Sequence, residues 1–205
     1  PRPVILYNRY SRKYSGVVMD DRSIGSIPAE IFASHGRTRP AVVTSLPTFN
    51  GMNIRRNLFA YTCRSLGMEE PVLYCCDPTA RGGYEMTLRL LEEHPETDCI
   101  FYMREGLALG ALRAFTEKGI YFPGGPEFIA IEDAALGLSE VCLPALSVVH
   151  LPLEAEASEC TRLMNRLLHS PGCEIASTVI PVTFIPRESC PDRAQNASRS
   201  SPATI

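Results

Sequence analysis

Residues 97–134 constrain the fold more tightly than any other stretch of the chain. Cys99-Ile100-Phe101-Tyr102 is a short, unbroken apolar run, the pattern of a parallel strand covered on both faces. Leu107, Ala108, Ala111, Leu112 and Phe115 then recur at helical spacing, with Arg113, Glu117 and Lys118 on the opposite side. Gly119 stands where a helix end favours a left-handed residue. Pro123-Gly124-Gly125-Pro126 turns the chain, and Phe128-Ile129-Ala130-Ile131 is a second apolar strand. Strand, helix and strand with short joints make a βαβ crossover, which is right-handed almost without exception. Arg104-Glu105 and Glu132-Asp133 lie just past the two strands, at the carboxyl ends where open α/β sheets bind ligands.

The same rhythm runs backwards through the chain. Residues 3–8 and 16–19 read as strands, 23–34 as a helix with Ile24, Ile27, Ile31 and Phe32 inward, and 40–45 as a strand. Residues 52–66 read as a helix burying Leu58, Phe59, Thr62 and Leu66, followed by a strand at 71–76 and a helix at 84–94. Helix–strand alternation at this pitch predicts a doubly wound parallel sheet. Beyond Asp133 the pattern changes: a loop or broken helix over 134–144, a strand over 146–151, an amphipathic helix over 153–168, and two β-rich runs around Pro181.

Composition excludes several classes. A net charge of -3 leaves no basic footprint for nucleic acid in this chain. No apolar run reaches the length of a membrane span. The first residues enter a strand directly, so no signal peptide is expected. The eight cysteines lack Cys-x-x-Cys spacing, and His35, His94, His150 and His169 lack ligand spacing. The cysteines are read as reduced, partly buried thiols rather than a disulfide framework or a metal site, and the histidines as surface or capping residues. No nucleophile elbow, phosphate loop or catalytic triad is visible, and no cofactor is expected.

Tyr102-Met103-Arg104-Glu105, Leu107-Ala108-Leu109-Gly110-Ala111 and Ala130-Ile131-Glu132-Asp133 together resemble the strand, helix and strand of the effector-binding domain in the lactose-repressor/galactose-repressor family of bacterial transcription regulators. There the pieces run Ala-Asn-Asp, Met-Ala-Leu-Gly-Ala and Gly-Phe-Asp-Asp. The similarity continues through Leu146-Ser-Val-Val-His-Leu-Pro152-Leu153 to Arg187-Glu188-Ser189 after the last β run, and covers essentially residues 2–190.

The resemblance implies a periplasmic-binding-protein-like α/β fold of doubly wound parallel sheets in two lobes, the first incomplete. Residues 1–19 and 133–172 would be the remainder of the N-terminal lobe, 20–132 and 173–190 the C-terminal lobe, and 191–205 a disordered tail. Strands at 4–7 and 146–151 would then lack sheet neighbours, which points to a fragment of a longer regulator or to a second copy covering the edge. The resemblance also implies a cytoplasmic homodimer with no chemistry of its own, reaching DNA through a helix-turn-helix head outside this sequence, whose lobes close on a small effector. It places Asn8, Asn53, Arg55, Pro78, Arg104 and Glu132 around that effector. Arginine replaces the family's asparagine at 104 and glutamate its aspartate at 132. Either Arg104 pairs with Glu132, or Arg55 and Arg104 grip an anionic sugar, sugar acid or sugar phosphate. The alternatives are a sugar-binding transport protein of the same fold and a small flavodoxin-like enzyme.

Overall fold

The structure, a computed structural model, describes residues 3–46, 50–132, 137–170 and 174–192. The larger sheet has six strands in the order β4-β3-β5-β6-β7-β9: Val72–Cys76, Pro40–Ser45, Cys99–Tyr102, Glu127–Ile131, Ser147–His150 and Thr183–Ile185. All are parallel except β9, which pairs antiparallel to β7 at the edge. The smaller sheet is parallel, in the order β1-β2-β8: Ile5–Tyr7, Ser15–Met19 and Ser177–Ile180.

Alternate residues of each central strand serve two separate cores, as the two-residue period of a strand requires. Cys99 and Phe101 of β5 face α1 (Asp21–Ser34) and α2 (Asn50–Ser65), meeting Ile24, Phe32, Phe59 and Cys63. Ile100 and Tyr102 face α3 (Ala80–Glu93) and α4 (Glu105–Glu117), meeting Leu90, Leu107, Ala111 and Phe115. Helices on both faces explain why β5 and β6 read as unbroken apolar runs. Two glycines let α3 and α4 approach closely. A Cβ on Gly83 would lie 2.1 Å from the Leu107 carbonyl oxygen, and one on Gly110 would lie 1.8 Å from that of Ala80. A short α5 (Leu138–Val141) follows β6, and α6 (Leu153–His169) packs on the small sheet.

Several expectations are corrected. Residues 146–151 do not belong with the first strands: β7 sits between β6 and β9, buried on both faces, and extends the large sheet. The strand at 4–7 is likewise paired, with β2. The two runs around Pro181 separate, β8 joining the small sheet and β9 the large one. The chain therefore crosses between sheets after β7 and again at Pro181, not at residue 133. In α2 the inward stripe is Met52, Phe59 and Cys63, while Leu66 is exposed past the helix end. Residues 47–49, 133–136, 171–173 and 193–205, among them Asp133 and the tail expected to be disordered, lie outside the described residues. Among the described residues, no helix is long and apolar enough to cross a membrane.

Candidate functional site

The expected site residues fall at the carboxyl ends of the parallel strands or in the first turns that follow them. Three groups form there.

The first joins the two sheets. Asn8 leaves β1 with a positive φ of 51°, a conformation asparagine tolerates better than most residues. Its backbone N–H donates to the Val17 carbonyl at 2.9 Å, and its Oδ1 accepts from the Met19 N–H at 3.3 Å. The side-chain oxygen thus serves the turn. At the end of β2, Asp20 caps α1 by accepting from Arg22 and Ser23 N–H, and the next residue, Asp21, is buried. Asp21 Oδ1 lies 2.7 Å from Arg55 Nε in a buried ion pair that ties β2 and α1 to α2. Tyr10 stands near this pair, and burial followed by the Asp21 charge raises its pKa. Glu156 on α6 completes the group; it is fully buried, neither of its oxygens has a formed hydrogen bond, and desolvation raises its pKa. The nearby Tyr7 hydroxyl leans on that carboxylate, which lifts the phenol to about 12.

The second group surrounds a cavity of about 930 Å³ at the ends of β3, β4 and β5. Arg104, Pro78, Asp77, Thr79 and Ser45 line it. Thr79 caps α3 by accepting from Gly82 N–H at 3.0 Å. Arg104 is extended (φ -155°, ψ 143°) at the start of α4 and makes no cap bond to it. Its Nε is buried without a hydrogen-bond partner. Among the described residues, no carboxylate lies within ion-pair distance of it. Cys76 borders the cavity as an inert thiol, raised to about 11 by burial.

The third group is centred on Glu132, and it rules out the Arg104–Glu132 pair. Glu132 Oε2 is bonded to His150 Nδ1, while Oε1 accepts from Ser139 Oγ at 3.2 Å and lies 4.0 Å from Arg187 Nη2. Both carboxylate oxygens are satisfied within the protein. His150 is thus neither a bare surface residue nor a cap.

Pro78 and Arg104 share a cavity, Asn8 and Arg55 belong to the first group, and Glu132 is enclosed in the third. Asn53 is half-buried in the first turn of α2 and does not line the Arg104 cavity. Sequence reading missed Asp21, Tyr10, Glu156, His150 and Asp77. The Asp20-Asp21 pair between β2 and α1 was a usable signal; Glu156 left none, because one acid on an amphipathic helix looks like any other. A second cavity, about 750 Å³, opens at the amino end of the large sheet between Phe115, Tyr121, Phe122, Leu143, Pro144 and Pro191. None of the expected site residues lines it.

The second group offers guanidinium, carboxylate and hydroxyl groups around an open space. It suits binding of a hydroxylated small molecule.

Residues 29–190 match the family described as periplasmic binding protein-like domain. The chain is 22% identical over 195 residues to the probable HTH-type transcriptional repressor ExuR of Bacillus subtilis, an alignment covering 91% of this chain and 57% of that protein. It is 26% identical over 164 residues to the HTH-type transcriptional regulator GntR of Pseudomonas aeruginosa, covering 78% and 46%. The chain therefore spans about half the length of these relatives. Among solved structures, a LacI family transcription regulator from Clostridium acetobutylicum superposes with a TM-score of 0.85 at 24% identity, covering 90% of this chain and 69% of that one. A LacI family regulator from Enterococcus faecium with bound ribose gives 0.83 at 21%, covering 92% and 70%. Both superpositions share this fold.

Proposed function

Since the chain belongs to the periplasmic binding protein-like domain family, we propose that it is the effector-binding and dimerisation part of a cytoplasmic bacterial transcription regulator, and that its effector is an anionic sugar derivative. The named relatives are transcription regulators, which favours this role over a transport protein. A helix-turn-helix head elsewhere in the full protein contacts DNA, and effector binding shifts the two lobes between orientations that set the spacing of paired heads.

One observation carries the choice of effector. Arg104 brings a permanent charge to a cavity where its Nε has no hydrogen-bond partner, while Glu132, its partner in the alternative reading, is bound to His150 and Ser139. A guanidinium in that state suits a carboxylate or phosphate, which it can hold through paired hydrogen bonds. Ser45, Asp77 and Thr79 line the same cavity and can meet sugar hydroxyls. Arg55 is paired with Asp21 and does not line this cavity, so it does not grip the anion.

Calorimetric titration with a hexuronate and an aldonate against ribose and galactose tests this. The acids bind and the neutral sugars bind more weakly. Tighter binding of the neutral sugars would overturn the proposal.

A further inference from the structure

The amino end of the large sheet holds a second cluster of chemically active side chains. His35 sits at the carboxyl end of α1, with its backbone N–H bonded to the Ile31 and Phe32 carbonyls. Glu127 is the first residue of β6. Cys190 follows β9 and is completely buried. His35 Nδ1 lies 2.8 Å from Glu127 Oε2. Cys190 Sγ lies 3.8 Å from His35 Nδ1 and 3.7 Å from Glu127 Oε2. Three potential ligand atoms, one each of nitrogen, oxygen and sulfur, therefore face one another within 4.8 Å.

We propose that His35, Glu127 and Cys190 form a binding site for one zinc-class divalent metal ion. Zinc bonds to nitrogen, oxygen and sulfur of about 2.0–2.3 Å place neighbouring tetrahedral ligands roughly 3.3–3.6 Å apart. The observed separations bracket that range, so the ion enters after sub-ångström adjustments. Thiolate, imidazole and carboxylate together select a borderline-soft ion over calcium or magnesium, which take oxygen ligands.

The supporting contacts are already built. Glu127 Oε1 is held by Arg37 Nη2 at 3.0 Å, which leaves Oε2 turned toward the other two ligands. Arg37 remains an outer partner that orients the carboxylate. Cys190 is fixed through its backbone N–H, which donates to Ser147 Oγ at 2.9 Å, and through its neighbour Ser189, whose Oγ donates to the Phe128 carbonyl at 2.7 Å. Binding releases the Cys190 thiol proton, the His35 ring moves its proton from Nδ1 to Nε2, and the His35–Glu127 hydrogen bond gives way to two metal bonds. Thiolate and carboxylate balance the charge of the ion, and a water molecule takes the fourth position. The half-exposed Arg37 marks the side of entry. The site gives a further role to a thiol that is free and buried and to a histidine that caps α1. It lies at the end of the sheet opposite Arg104, so its role is to clamp α1, β6 and the segment after β9 together, independently of the proposed effector.

The test uses the full chain, stripped with a chelator and titrated with Co²⁺ as an optical probe and Zn²⁺ as a stabiliser. One Co²⁺ per chain is expected, with a thiolate-to-cobalt charge-transfer band. Zn²⁺ about a hundredfold above its Kd should raise the melting midpoint by roughly 5–10 °C. Cys190→Ala should abolish the band, Cys75→Ala should leave it intact, and His35→Gln, which keeps the thiol, should weaken binding at least about tenfold. Wild-type chain that takes up no Co²⁺, or a band that survives Cys190→Ala, would overturn the proposal and leave a thiol donating into a His–Glu hydrogen bond. Neither result bears on the effector reading, because calorimetry with sugars reads the other end of the sheet.

Discussion

Arg55 and Arg104 follow neighbouring strands, β3 and β5, at the same end of the sheet, yet their surroundings differ. Arg55 is buried against Asp21 and joins the two sheets. Arg104 borders a large cavity, with no carboxylate within ion-pair distance among the described residues and an unsatisfied Nε. A buried charge with a fixed partner holds a fold together, and removing one half leaves the other stranded. A charge whose partner is missing is costly to the fold and ready for a ligand. The contrast separates structural from recognition groups among residues that look alike in sequence.

The largest effect expected from breaking this contrast is at Arg55. Arg55→Ala strands Asp21 in the interior and should cost about 3–5 kcal/mol in urea unfolding. Adding Asp21→Ala to that variant should recover a substantial part, since the unpaired acid goes with it.

Next comes Gly110→Val, which forces α4 away from the start of α3 and should cost roughly 1–3 kcal/mol. Because Pro78 and Thr79 lead into α3 and line the Arg104 cavity, this change should also weaken effector binding, while the Asp21–Arg55 pair stays intact. Calorimetry on the folded variant separates the two effects.

Glu156 sharpens the comparison through pH. Its carboxyl is raised by burial, so the folded state holds its proton more tightly than the unfolded chain does. The stability from protonated Glu156 is present below the ordinary glutamate pKa and is lost as pH rises through the raised folded value. Glu156→Gln should therefore melt higher than the parent at pH 7, with the difference closing below about pH 4. Melting curves across that range give the sign directly.

Much of this fold was legible because the signals are local. Apolar runs gave the positions of β3, β5, β6 and β7, and helical spacing put Leu107, Ala111 and Phe115 in the core. Sheet membership was less legible. Nothing near residues 147–150 reveals that β7 pairs with β6 and β9, since parallel pairing is decided by packing between distant segments. Pro181 marked a break but not a change of sheet. In the site, strand ends located Arg104 and Glu132. The partners of Glu132 came from α5, β7 and the segment after β9, too far along the chain for spacing to show. The His35–Cys190 approach, 155 residues apart in sequence, is the extreme case.

The smallest effect on stability, and the largest on recognition, is expected at Arg104. Arg104→Gln should leave unfolding within about 0.5 kcal/mol of the parent, because no internal partner is lost. Titrating the parent and this variant with galacturonate and with galactose tests the central claim most directly. The account predicts that the parent prefers the acid, and that Arg104→Gln lowers acid affinity about tenfold to a hundredfold while leaving galactose nearly unchanged. An acid preference that survives the substitution, or a parent that favours galactose, would contradict it.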